Sequence, residues 1–370
     1  MDLGACTDHG TGQASSPTGR SCGMGLAVSG AEAGRGARLA PDGAPGSTPP
    51  TAVIVADRPG LLATPRGRGH PGPWPGVLVL GGAEGGLIYA REVLPQLAAA
   101  GVVALGLAYV APAQPAAIAA ESGPERRETR AGATPSVVLP KRLVEIPLEP
   151  FATALQWLGQ QPSVGDCPRV VLGASKGAEA ALLVASLWPE RVTAAIAFAP
   201  SSVIWQGIGV DAQGQVRSSW QRAGRTLPFL ALPLDEVFAA DPRQPMVVWH
   251  RRALAGAGAD GAYRIPVERL RAEVLLVSGG DDAMWPAAAM SEAIKGRLQG
   301  AAALRVRHVN VPDAGHRIAR PPSAERVRAA ADDQRAFGGT SEADARARRL
   351  GWQASTELLS RLARRCSGER

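Results

Sequence analysis

Cysteine is scarce in this 370-residue chain: Cys6, Cys22, Cys167 and Cys366 lie far apart and none stands in CxxC spacing. That argues against a disulfide framework or a zinc site and makes the reducing cytoplasm the expected location. No stretch approaches the roughly 18 consecutive apolar residues of a membrane-spanning helix. The N-terminus also lacks the basic start and apolar core of a secretory signal. Aromatic residues are only 4% of the chain, and no Lys/Arg-dense stretch carries interleaved aromatics. The net charge of +7 comes from scattered arginine rather than a stripe, so no nucleic-acid partner is expected. The glycine-rich Gly81–Gly86 stretch has neither GxGxxG spacing nor a Walker lysine, and with no zinc spacing either, no cofactor and no metal are expected.

What is present is a globular composition, 45% hydrophobic and 20% charged, with 44 glycines and 31 prolines. Residues 1–50 are Gly, Ala, Ser, Thr and Pro without periodicity. They cannot bury enough apolar surface to offset their ordering entropy, and they read as a disordered leader in which Met24 offers a second start. Residues 51–370 read as one catalytic domain. Thr51–Val55 and Gly60–Thr64 form an edge hairpin, and His70 falls in the loop that follows. Val77–Leu80, Val102–Leu107, Val170–Leu172, Val192–Phe198, Val274–Val277 and Arg305–Val311 are short apolar runs expected as strands. Helical patterns separate them: one carries Ile88, Val93, Leu94 and Leu97, and another Leu148, Phe151, Leu155 and Leu158. A third should start after Pro286 and run from Ala287 to Leu298. A last helix opens at Ser341 and Asp344, which have capping-box spacing, and should bury Trp352, Leu359 and Leu362. Strands alternating with helices over short joints imply a parallel sheet covered on both faces. Residues 112–136 read as a flexible insertion. Residues 201–271 break the pattern after a core strand and read as a lid over the carboxyl ends of the sheet. Arg217, Arg222, Arg225, Arg251 and Arg252 in that region are expected as solvated surface.

The chemistry gathers at Gly173-Ala174-Ser175-Lys176-Gly177. An apolar strand enters this GxSxG and an Ala/Leu-rich helix leaves it, the setting of a nucleophile elbow. The turn demands small neighbours, which Gly173, Ala174, Gly177 and Ala178 are. A serine hydroxyl needs a base oriented by a carboxylate. Among five histidines, His9 lies in the leader, His250 in the lid region and His308 inside a strand. His316 follows the last strand, where a loop can aim it at the elbow. Ser278-Gly279-Gly280-Asp281-Asp282 follows the preceding strand. Asp282 is preferred over Asp281, which reads as a turn residue. Ser175, Asp282, His316 is the α/β-hydrolase chain order. The oxyanion hole is expected from the main-chain N–H of Lys176 and one from Gly81–Gly86, Ala83 first and Glu84 second. Cys167 reads as a small buried residue. Trp188, Trp205, Trp220 and Trp249 read as packing rather than acyl-pocket lining.

Gly173–Glu179, Val79–Gly86, Gly279–Trp285 and Ala314–His316 together resemble the C-terminal catalytic domain of the acyl-CoA thioesterase and bile acid-CoA:amino acid N-acyltransferase family; Ile146-Pro147-Leu148-Glu149 adds to the likeness. The resemblance implies an α/β-hydrolase fold, a Ser175/Asp282/His316 triad and small-molecule acyl thioester substrates. Animal members of that family carry an N-terminal immunoglobulin-like sandwich of about 100 residues, whereas a short leader is expected here. The acyltransferase branch is associated with a cysteine nucleophile, and Ser175 stands in its place, which points to hydrolysis. Three functional readings stand: an acyl-CoA thioesterase, a carboxylesterase or lactone hydrolase of the dienelactone type, and a hydrolase-fold binding protein without turnover.

Overall fold

The computed structural model describes residues 49–65, 72–113, 138–258, 261–299, 305–322 and 335–366. Leader residues 1–48, His70 and insertion residues 114–136 lie outside the described residues. Among the described residues, eight strands form the main sheet: β1 (Thr51–Val55), β2 (Arg58–Ala63), β3 (Gly76–Leu80), β4 (Val103–Leu107), β6 (Arg169–Ala174), β7 (Ala194–Phe198), β10 (Glu273–Gly279) and β11 (Val306–Val311). Their order is β1-β2-β4-β3-β6-β7-β10-β11. Strands β4 to β11 in that order are all parallel, and the β1–β2 hairpin joins antiparallel at the β4 edge. This is the mostly parallel, helix-flanked sheet of the α/β-hydrolase fold.

The continuous apolar runs follow from two-sided burial. Leu78, Leu80 and Val171 join one core layer with Phe151, Leu155 and Leu158 of α2 (Glu149–Gln160), Leu182 and Leu183 of α3 (Lys176–Leu187), and Ile294 of α6 (Ala287–Leu298). Their neighbours Val77, Val79, Val170 and Leu172 point to the opposite face. There they meet Val93, Leu94 and Leu97 of α1 (Ile88–Ala99) and Trp352, Leu359 and Leu362 of α7 (Ser341–Cys366). Period-2 side chains with no polar face are what such a sheet requires. The expected helix over 287–298 forms with those bounds, Pro286 standing just before its first turn.

Between β7 and β10 the chain builds β8 (Trp220–Arg222), β9 (Arg225–Thr226), α4 (Leu234–Ala239) and α5 (Met246–Ala255). β8 pairs with β9 and with the two-residue β5 (Ile146–Pro147). From this 199–272 segment, Ala199, Val203 and Trp205 pack with Trp285, Ala287 and Met290 in a small separate cluster, while Ile204, Trp220, Ile265 and Val267 join the first core layer.

Helix α1 carries Ile88, Val93, Leu94 and Leu97 as expected, with Ile88 41% exposed at its start and Tyr89 and Ala90 turned inward. Two expectations are corrected. The capping box at Ser341 and Asp344 does not form: Thr340 Oγ1 accepts the Ala343 N–H (3.1 Å), and Asp344 is used elsewhere. Cys167 and Cys366, 199 residues apart, are joined as a disulfide that ties the end of α7 to the approach to β6, with a Cα–Cα distance of 5.2 Å. Among the described residues, no helix is long and apolar enough to cross a membrane.

Candidate active site

Strand β3 pairs with β4 on one side and β6 on the other, so the chain order reverses between β3 and β6. A crevice opens outside the carboxyl ends of the strands at such a reversal. The Gly81–Gly86 turn leaves β3 on one side of it, and Ser175 leaves β6 on the other.

Ser175 has φ 54° and ψ −120°, a backbone state that non-glycine residues hold only where the surroundings enforce it. Enforcement comes from the Ser175 N–H bond to Phe198 O (2.9 Å) and from two close approaches. A Cβ on Gly173 would collide with the Gly177 carbonyl, and one on Gly177 would collide with Leu80 O and Gly81 O. The spacing of GxSxG is therefore steric: the helix main chain passes directly against strands β6 and β3.

Three side chains from three strand ends meet here. Ser175 Oγ lies 2.9 Å from His316 Nε2, and His316 Nδ1 lies 2.8 Å from Asp282 Oδ2. His316 and Asp282 are 8% and 3% exposed, so their interaction is shielded from bulk water. The other Asp282 oxygen accepts the Met284 and Trp285 N–H groups at 2.8 and 3.1 Å. Asp281 lies outside this line and accepts the Gly339 N–H at 3.0 Å, as a turn residue would. The arrangement can pass a proton from a hydroxyl to an imidazole whose other nitrogen is oriented by a carboxylate.

In the turn after β3, the Gly82 N–H goes to the Glu84 carboxylate (2.9 Å), the Gly85 N–H to Gly82 O (3.4 Å) and the Gly86 N–H to Val110 O (2.9 Å). Among the described residues, the Ala83 and Glu84 N–H groups have no partner. Lys176 opens α3, so its N–H lacks an intrahelical acceptor. Tyr109 steadies the turn by donating its hydroxyl to Gly81 O (2.5 Å), and burial raises that phenol well above its ordinary pKa. A Cβ on Gly82 would sit 3.2 Å from Ser175 Cβ, so the turn lies directly against the serine.

Several site residues carried no readable signal in the sequence. Asp344 of α7 reaches back to the Gly315 N–H (2.7 Å), and the Phe337 carbonyl accepts the His316 N–H (2.8 Å). Burial raises the Asp344 carboxyl. Trp285 stands edge-on to His316 at 5.2 Å and donates its indole N–H to Ala199 O (3.2 Å). Behind it His250 lies 4.5 Å from Trp205, with Nδ1 2.9 Å from Met246 O. Burial pulls His250 down to about 4, so its ring is neutral near pH 7. His308 stays in β11, bonded to Ser278 and Glu292 and remote from Ser175 in this network. Trp205 and Trp220 are buried packing residues, as expected. Among the described residues, no group of three or more His, Cys, Asp or Glu is arranged to hold a metal ion.

The family model described as BAAT / Acyl-CoA thioester hydrolase C terminal matches residues 146–363. Acyl-coenzyme A thioesterase 2, mitochondrial, of Mus musculus is 29% identical over 252 residues, covering 68% of this chain and 47% of that protein. Acyl-coenzyme A thioesterase 1 of Homo sapiens is 28% identical over 253 residues, covering 68% and 51%. The peroxisomal succinyl-coenzyme A thioesterase of Mus musculus is 25% identical over 250 residues, covering 68% and 50%. The chain thus spans about half the length of the relatives it matches. Among solved structures, a putative dienelactone hydrolase from Klebsiella pneumoniae aligns over 85% of this chain and 98% of its own, with a TM-score of 0.45 and 17% identity.

Proposed function

The chain belongs to the BAAT / acyl-CoA thioester hydrolase C-terminal family, and we propose that it is a serine hydrolase cleaving acyl thioesters, acyl-CoA foremost, to free acid and thiol. The observation that carries the reading is the unbroken Ser175–His316–Asp282 line at a turn that forces the serine to a positive φ. Ser175 Oγ attacks the thioester carbonyl as its proton passes to His316 Nε2, and Asp282 stabilises the imidazolium. The carbonyl oxygen becomes an oxyanion held by the main-chain N–H groups of Lys176 and Ala83. Collapse breaks the C–S bond, the thiol leaves with the proton from His316, and the acyl group remains on Ser175. Water then attacks that ester, giving its proton to His316; the free acid departs and Ser175 recovers its proton. The 199–272 segment acts as a lid whose inner surface meets the acyl chain.

The test is purified protein with thioesters and oxygen esters of matched acyl chains. Thiol release should exceed oxygen-ester cleavage, and Ser175→Ala should lower it by about 10⁴-fold or more. Equal thiol release from the alanine variant would sink the reading. Labelling of Ser175 by a fluorophosphonate separates an enzyme from a binding protein of the same fold.

A further inference from the structure

Two charged side chains lie in the interior beside Ser175, and no step of the reaction above uses either. Lys176 and Glu179 are 3% and 0% exposed. They stand at i and i+3 in the first turn of α3 and so share one face. Lys176 Nζ donates to Glu179 Oε2 (2.9 Å), Ser219 Oγ (2.7 Å) and the Gln206 carbonyl (3.3 Å). Three acceptors match the three N–H bonds of an ammonium group. Glu179 Oε1 accepts the Trp205 main-chain N–H (3.0 Å) and the Trp220 indole N–H (2.8 Å). Every partner of this carboxyl is a donor, which suits the ionised form. Ser219 hands its own proton to Gln206 O (2.9 Å), which closes the network. Burial pulls the lysine down and the glutamate up, and the ion pair between them opposes both shifts.

A buried ion pair is a poor source of stability, since apolar residues of the same volume hold a core as well. It does fix direction, because each bond has a donor and an acceptor at a set place. Here the clamped residue is the one whose own main-chain N–H faces the proposed oxyanion. The pair's four outside anchors, Gln206 and Ser219 on Lys176 and Trp205 and Trp220 on Glu179, all belong to the 199–272 segment. We propose that Lys176 and Glu179 are a positioning pair: they hold the Lys176 N–H in line for the oxyanion and join the 199–272 segment to the nucleophile turn. The proposal rests on the reading of Ser175 and the Lys176 N–H given above.

Full-length Lys176→Met, Glu179→Gln, the double variant and the milder Ser219→Ala keep every main-chain N–H. Each is assayed with an acyl-CoA and with two probes of the same acyl chain. One is a trifluoromethyl ketone thioether, which a serine adds to as a charged tetrahedral adduct; the other is an unreactive thioether. Expected is a fall in kcat of about 10- to 100-fold in the single variants, with KM within about threefold. Ketone affinity should fall by the same factor while thioether affinity stays constant, and the double variant should lose no more than the worse single one. Ser219→Ala should move the same way by about threefold. Unchanged ketone affinity in folded Glu179→Gln and Ser219→Ala would overturn the proposal, as would equal losses for both probes. If the charge variants do not fold, Ser219→Ala decides by the same two probes. A ketone that binds wild type and Ser175→Ala alike would instead overturn the reading of Ser175.

Discussion

The strand-end loops and the 199–272 segment meet at the same crevice but are held in different ways. The loops are held largely by main-chain bonds, Ser175 N–H on Phe198 O, Gly280 N–H on Val311 O, Asp281 N–H on Ala314 O and His316 N–H on Phe337 O, at 2.8 to 3.0 Å, to which the Asp282 and Asp344 carboxylates add acceptors. The segment forms its main-chain bonds within itself and with nearby loops, such as Ile204 N–H on Tyr263 O (2.7 Å) and Val247 N–H on Ala283 O (2.8 Å). Its polar grip on α3 is made by the side chains of Lys176 and Glu179, beside the apolar packing of Ile265, Val267 and Leu270 in the same core layer as Leu182 and Leu183. Main-chain bonds do not depend on side-chain identity, whereas a side-chain joint can be altered one residue at a time. We therefore place the proposed reacting groups on the rigid side, held by main chain, and propose that substrate fit is set on the adjustable side, held by side chains.

Breaking the rigid side should have the largest effect. Asp282→Asn keeps an oxygen for the Met284 and Trp285 N–H groups but presents the wrong partner to His316 Nδ1. It should lower kcat by about 10⁴-fold with little change in melting temperature, measured by thiol release and calorimetry. A collapse in melting temperature would mean that the acid loop owes its shape to the Asp282 charge rather than to main chain.

Asp344→Ala comes next. It strips the Gly315 N–H of its acceptor and should cost about 1–3 kcal/mol of stability, read by chemical denaturation. kcat should fall by about 10-fold as His316 loses alignment. An effect on KM alone would place Asp344 outside the support of the triad.

The last effect belongs to the adjustable side and is absent near pH 7, emerging only as the pH falls. His250 of α5 is buried neutral, with a pKa of about 4 against an ordinary 6.5. The unfolded chain therefore takes up this proton first as the pH drops. The segment's stability is intact above about 6.5 and is progressively lost towards 4, by up to about 3 kcal/mol. Stability measured between those pH values should fall more steeply in wild type than in His250→Asn. Parallel curves would remove His250 from the account.

Much of this was legible in the sequence, for identifiable reasons. The apolar runs, GxSxG and the chain order of Ser175, Asp282 and His316 are local patterns or follow from strand ends, and the fold places them where those patterns imply. Asp344 misled because its spacing from Ser341 mimics a cap, while its true partner is a main-chain N–H 29 residues away that no pattern encodes. Cys167 and Cys366 misled because only packing of α7 brings positions 199 apart together. Lys176 and Glu179 resemble an exposed i,i+3 pair until the 199–272 segment covers them.

The central claim is that the acyl group passes through Ser175. Acid-quenched protein from the first turnovers of an acyl-CoA, digested and weighed, tests it directly. The account predicts one added acyl mass on the peptide containing Ser175, which disappears on further incubation. Turnover with the acyl group on no peptide, or on a different residue, would contradict it.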